Sequence, residues 1–381
     1  MKIVLAPNAF KESLSASEIA QAMRAGIQAV DAGIECVTVP LADGGDGTTE
    51  ALVSARQGEL VEIPVHDPLM RPVRVQYGFI DNGSTAVIEM ASASGLWRLK
   101  PHEKNPLKTT TFGTGEMIRD ALERGVQHIV IGIGGSATTD AGIGMAAALG
   151  YQFLDDQGRE LEPIGASMNS IAQIKTEKVH PRLRNVQIHI ASDVKNPLLG
   201  REGAAPVYGP QKGADPVMVQ VLEEGLANVA QRMKDDLGAD VADIPGAGAA
   251  GGLGAGLVAF CGAELRSGFD LIADYAQLDQ ALAGADLLIT GEGKIDEQTP
   301  FGKVPAGAAQ RAKQQGVPAI ALAGSIVGDL TALHELGLIS VFTIMNGPIS
   351  LEEAMKNTRD LMKRTTEQVI RLWIAKKQHI R

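Results

Sequence analysis

Carboxylates, lysines and hydroxyls in this chain gather where apolar runs end. "KIVLAPNAFKES" closes on Asn8 and Lys11, "CVTVPLADGGDGT" on Asp43 and Asp46, and "HIVIGIGGSATTD" on Ser136, Thr138 and Asp140. "VQIHIASDVKNP" closes on Asp193 and Asn196, "ADLLITGEGKID" on Glu292, Lys294 and Asp296, and "PAIALAGS" on Ser325. In open α/β sheets, ligands collect beyond the carboxyl ends of the strands, where loops and helix N-termini present unsatisfied N–H groups. Glycine lets those N–H groups approach phosphate oxygens, hydroxyls donate further bonds, and carboxylates hold a metal or accept a proton. This mixture points to a polyphosphate and a divalent cation.

A dinucleotide is the competing ligand. Gly132 to Ala137 has the form GxGxxA, follows an apolar run and opens a helix, and Asp155 lies eighteen residues beyond Ala137. Against it, Ser136, Thr138 and Thr139 occupy a turn that a dinucleotide needs to approach closely, and "DDQGRE" reads as a hairpin turn. A second match at Gly246 to Gly251 has no convincing strand before it. Walker A and protein-kinase motifs are absent. Plainer roles exist for several of these residues: Asp-Gly pairs form tight turns, Asp193 suits an Asx turn ahead of Asn196-Pro197, and Lys11 suits a solvated loop. Glu292 and Asp296 are four apart, but Gly291 and Gly293 argue against a helix that would align them.

The elements that must position these groups can be read locally. Lys2 to Ala6 is a short buried strand. Ser15 and Glu18 form a capping box ahead of apolar residues at helical spacing, and Gly33 is the expected stop. Strand and helix alternate on either side of a different segment, Leu60 to Met90, whose alternating pattern and Asn-Gly turn predict antiparallel strands. The architecture is expected to change near Tyr77 and to return after about Gly284. A long amphipathic helix is expected from Leu351 onward. The run from Gly246 to Ala263 approaches the length of a membrane span, but its seven glycines predict a turn leading into a short buried helix.

The chain's 381 residues, 45% of them hydrophobic and 21% charged, suit two soluble globular domains. A net charge of -10 opposes binding to nucleic acid or anionic membrane. Cys36 and Cys261 are too few for a disulfide framework or a structural zinc site, so a cytoplasmic location is expected.

Taken in order, "KIVLAPNAFKESLSA", "VPLADGGDGT", "FGTGEMI", "IGIGGSATTDAGIGMA", "SDVKNPL", "YGPQKGA" and "TGEGKID" resemble the type I glycerate kinases of bacteria over essentially the whole chain. The resemblance implies ATP- and Mg²⁺-dependent phosphorylation of D-glycerate, with the 2-hydroxyl favoured over the 3-hydroxyl. It also implies two α/β domains with the substrates in a cleft between them. One would be Rossmann- or flavodoxin-like, built from residues 1–77 and 284–381; the other, residues 78–283, would be inserted with a mixed sheet. In this frame Asp193 is the proton acceptor or a metal ligand, Asp43 is the other candidate acceptor, and Lys11 neutralises phosphate or carboxylate. Arg71, Ser94 and Asn196 are expected at the substrate. Gly134, Gly135, Ser136, Thr138, Glu292 and Lys294 are expected at the nucleotide, with Asp296 at the metal. The common family form "APDSFK" is changed here at Asn8 and Ala9, so an Asp at that place cannot be the base. Asp46 stands where Glu is more usual. The expected assembly is a monomer or homodimer.

Overall fold

The computed structural model describes residues 1–378. Its strands are β1 (Lys2–Pro7), β2 (Glu35–Thr38), β3 (Glu59–His66), β4 (Pro72–Ile80), β5 (Thr85–Glu89), β6 (His128–Gly132) and β7 (Gln152–Leu154), then β8 (Gln173–Lys175), β9 (Gln187–Ala191), β10 (Glu264–Arg266), β11 (Leu287–Ile295), β12 (Ala319–Ile326) and β13 (Leu338–Thr343). The chain divides into two compact units. The first comprises Met1–Asp43, Glu50–Gln57 and the chain from Phe269 onward; the second comprises Gly44–Thr49 and Gly58–Gly268.

The first unit is built on a parallel sheet in the order β13-β12-β11-β1-β2. Consecutive residues Ile3, Val4 and Leu5, Leu287, Leu288 and Ile289, and Ile320, Ala321 and Leu322 are all buried, as strands covered on both faces require. The capping box forms as expected: Glu18 N–H donates to Ser15 Oγ, and Ser15 N–H donates to Glu18 Oε2. The helix Ala16–Val30 ends at Asp31, just short of Gly33. It packs on the helix Thr358–Gln378 at Gly26, where a Cβ would lie 2.4 Å from the Lys363 carbonyl oxygen. The expected C-terminal helix is interrupted at Asn357, whose side-chain amide donates to the Glu353 carbonyl and separates Leu351–Lys356 from the longer helix.

The second unit carries a mixed sheet in the order β10-β9-β6-β5-β4-β3. β3, β4 and β5 are antiparallel; β5, β6, β9 and β10 are parallel. The Asn-Gly turn joins β4 to β5, with Asn82 left-handed at φ 56°. The boundary expected at residues 77/78 falls inside β4, because β3 pairs with β4 from Glu59–Phe79 to His66–Pro72 and the hairpin belongs wholly to this sheet. At the other boundary, the helices Gly268–Tyr275 and Leu278–Leu282 precede residue 284, yet from Phe269 onward they belong to the first unit. The glycine-rich run forms the helix Ala249–Cys261, opened by left-handed residues at Ala250, Gly251 and Gly252. Among the described residues, no helix is long and apolar enough to cross a membrane.

Two glycine turns of the second unit meet back to back. A Cβ on Gly132 would lie 2.5 Å from the Gly44 carbonyl oxygen, and one on Gly44 would lie 2.7 Å from the Ala191 carbonyl oxygen. Gly132→Ala is therefore expected to destabilise the protein by about 1–3 kcal/mol through overpacking, read as a lowered thermal unfolding midpoint. An unchanged midpoint would mean that these turns separate at no cost.

Candidate active site

In the first unit, the carboxyl ends of β1, β11 and β12 open onto a pocket of about 760 Å³. Asn8, Lys11, Asp43, Glu292, Lys294 and Lys303 form its charged and polar part, and Ile344, Met345, Leu351 and Met355 form an apolar wall. Parallel pairing brings Asn8, after β1, to the same end of the sheet as Glu292, because Pro7 is paired with Gly291. The glycine before Glu292 serves close approach: a Cβ on Gly291 would lie 2.4 Å from the Leu322 carbonyl oxygen.

The two carboxylates of "GEGKID" are shifted in opposite directions. Asp296 sits 3.1 Å from Lys294 Nζ and 3.3 Å from Lys303 Nζ. These bonds, the Lys294 one foremost, hold its carboxyl down to about 2. Glu292 is pushed up to about 7 by burial, with Lys303 pulling it down and Asp43 pushing it further up. Its Oε2 is buried without a hydrogen-bond partner.

In the second unit, β6 runs into the Gly134–Gly135–Ser136 turn. Gly134 and Gly135 are exposed and Gly135 is left-handed at φ 74°. The Gly135 carbonyl accepts from Leu96 N–H, and Ala137 N–H donates to the Ser94 carbonyl. Among the described residues, the N–H groups of Gly134, Gly135 and Ser136 donate to no protein atom. Consecutive free N–H groups around a left-handed glycine form an anion-binding concavity.

The residues after that turn face inward. Thr138, Thr139 and Asp140 are fully buried, and neither threonine hydroxyl has a partner. The short helix Ile143–Ala148 does not offer its N-terminus to a ligand, because Asp140 already occupies it. Asp140 Oδ1 accepts from Gly142 N–H, while Oδ2 accepts from Gly144 N–H, Thr111 N–H and Thr111 Oγ1. Thr138, expected at the nucleotide, is therefore part of the interior.

The expected substrate residues are engaged within the protein. Arg71 donates through Nε to Asp67 Oδ2 and through Nη1 to Glu103 Oε1, so its fork already grips two carboxylates. Ser94 is buried with its hydroxyl 2.8 Å from Thr114 Oγ1. Asn196 donates to the Glu202 carbonyl and accepts from Tyr208 OH. Asp193, beyond β9, is exposed, and its Oδ1 accepts from Gly268 N–H at 2.8 Å and Ser267 Oγ at 3.1 Å.

The dinucleotide reading loses its acidic partner. Asp155 lies in a hairpin turn, accepting from Gln157 and Arg159 N–H groups, and the strand before it pairs with β8 outside the main sheet. Lys303 and Glu89 were not singled out by sequence. Lys303 sits just before the helix Val304–Gln314, and the turn Gly302 with Pro305 marked that start. Glu89 caps Thr49 N–H from the end of β5, and a carboxylate at a strand end was the signal.

The glycerate kinase family model matches residues 3–374. The chain belongs to the glycerate kinase family. It is 44% identical over 380 residues to a glycerate kinase of Bacillus cereus, covering 100% of both chains. To the glycerate 2-kinase of Escherichia coli (strain K12) it is 44% identical over 369 residues, covering 97% of each. A crystal structure from Salmonella typhimurium LT2, given provisionally as glycerate kinase 2, superposes with a TM-score of 0.92 at 46% identity over 99% of each chain. The chain has the α/β fold expected from the sequence and shares it with that structure.

Glu292 gives this family member a testable pH signature. Its pKa in the folded chain lies above the unfolded value, so the fold binds the extra proton and loses stability as pH rises from the ordinary carboxylate range through about 7. Glu292→Gln is expected to raise the melting temperature more at pH 8 than at pH 5 in ligand-free protein. An equal effect at both values would show that burial does not hold this carboxyl up.

Proposed function

We propose that this chain transfers the γ-phosphoryl group of ATP to the 2-hydroxyl of D-glycerate, releasing 2-phosphoglycerate and ADP in the cytoplasm. The observation that carries this reading is the end-to-end similarity to a protein named glycerate 2-kinase. Phosphoryl transfer asks for positioning, charge neutralisation and a proton acceptor, with little covalent chemistry for the protein to perform. The N–H groups of Gly134, Gly135 and Ser136 hold phosphate oxygens. Lys11 and Lys294 neutralise anionic groups in the first unit's pocket, with Lys303 beside them. The attacking hydroxyl gives its proton to Asp193 or Asp43.

Mg²⁺ fits the donor chemistry of this pocket. Among the described residues, no three His, Cys, Asp or Glu side chains converge on one point. Mg²⁺ bound with a nucleotide, however, is ordinarily held by one or two carboxylates, phosphates and water. Asp43 and Glu292 line one pocket, and the partnerless Glu292 Oε2 is a hard oxygen donor suited to that ion. Asp193 is the corresponding donor in the second unit, whereas Asp296 is taken up by two lysines. Bound there, Mg²⁺ supplies charge neutralisation for the transferring phosphoryl group.

Purified protein incubated with ATP, Mg²⁺ and D-glycerate is expected to give 2-phosphoglycerate, resolved by phosphorus NMR against the 2- and 3-phosphate standards. Intact ATP would overturn the kinase reading, and 3-phosphoglycerate would overturn the regiochemistry. Between Asp43→Asn and Asp193→Asn, the variant lacking the proton acceptor is expected to lose about 10²- to 10⁴-fold in kcat. If neither loses more than about tenfold, the acceptor lies elsewhere.

A further inference from the structure

Lys212 is an unusual residue to find at the bottom of a fold. It is 1% exposed, and its Nζ donates to the Thr138 carbonyl oxygen at 2.5 Å. The chain reaches this depth through a short 3-10 turn, Pro210–Lys212, closed by Gly213 at φ 95°. Gly213 is confined by neighbouring backbone, since a Cβ there would lie 2.4 Å from the Lys104 carbonyl oxygen. An ammonium in this setting is costly to bury: burial brings Lys212 down to about 7, and the charge of Asp140 opposes that fall.

Stability gives no reason for such a group. Among the described residues Lys212 forms no direct ion pair, its one hydrogen bond is to the Thr138 carbonyl, and Asp140 already has four donors of its own. The Lys212 ammonium cannot touch a ligand from inside the fold. What it does touch is the backbone two residues beyond Ser136, just inside the point where the turn passes from the exposed Gly134 and Gly135 to the buried Ser136. On the other side of Thr138, Gly251 packs so closely that a Cβ would lie 2.0 Å from the same carbonyl oxygen.

We propose that Lys212 is a positioning residue, which anchors the Thr138 carbonyl and thereby fixes the Gly134–Ser136 N–H groups in the geometry that holds the phosphates of ATP. The inference rests on the kinase reading of that turn. It assigns Lys212 to nucleotide affinity, with no role at glycerate and little role in holding the fold together. A carbonyl held by a buried amine donor is restrained from rotating, and a turn whose far end is restrained keeps its N–H groups aimed without ligand.

The test compares wild type, Lys212→Met and Lys212→Gln. Methionine keeps the length without a donor, and glutamine is shorter but retains an N–H donor. For K212M the KM for ATP is expected to rise about tenfold or more, with KM for D-glycerate within about twofold and the melting temperature within about 5 °C of wild type. K212Q is expected to recover part of the ATP KM. Titration calorimetry with Mg-ADP should rank the three proteins in the same order.

An ATP KM for K212M within about threefold of wild type would overturn the proposal. So would parallel losses in both KM values and melting temperature with no recovery in K212Q, which mark a purely structural lysine. If K212M fails to fold, K212Q decides: a raised KM for ATP alone supports the anchor, and unchanged values refute it. Should wild type show no turnover of ATP with D-glycerate, the kinase reading fails instead. Mg-ADP binding that falls from wild type to K212M still supports the anchor, and equal binding refutes it.

Discussion

A single buried carboxylate organises the second unit's ligand-facing loop. Asp140 gathers donors from Thr111, Gly142 and Gly144, so one side chain ties the loop after β6 to the start of the helix Phe112–Glu123 and to the helix that follows it. Burial pushes its pKa up while those hydrogen bonds pull it down. Four oriented N–H and O–H dipoles face its carboxylate, and its charge also acts on the buried Lys212. With the buried end of the loop held this way, Gly134 and Gly135 are left exposed while Ser136, Thr138, Thr139 and Asp140 are buried.

The first unit handles charge differently. There the parallel strand ends bring lysines and carboxylates into one pocket, and neighbouring groups set each carboxylate's state. Lys294 and Lys303 keep Asp296 ionised, while Glu292 lies buried without a hydrogen-bond partner on Oε2. Two carboxylates four residues apart, one on β11 and one just beyond its end, thus have opposed proton affinities. Such separation of environments is how a site obtains both a fixed anion and a group ready to bind a cation or a proton.

Much of the fold was legible because its signals are local. The capping box at Ser15, the Asn-Gly turn before β5, the hairpin at Asp155 and the glycine-rich entry to the helix Ala249–Cys261 each depend on residues within a few positions of one another. Tyr77 was harder to assign: β4 reads the same whether it joins one sheet or the other, and only its pairing with β3 decides. Asn357 likewise breaks a helix whose apolar spacing continues across it.

The candidate site divides along the same line. Sequence determined which strand ends carry charge, where glycine permits close approach and which family the chain belongs to, since these follow from residue type, spacing and order. Tertiary structure decided which of those groups face a ligand. Ser136 and Thr138 follow exposed Gly134 and Gly135 yet are both buried, and the Thr138 carbonyl is held by Lys212, a residue 74 positions away. Arg71 has the fork to grip a substrate carboxylate, but Asp67 and Glu103 reach it within the fold. Partners as distant along the chain as Lys212 and Glu103 leave no mark on local pattern, because what selects them is the packing of elements that sequence periodicity can only enumerate.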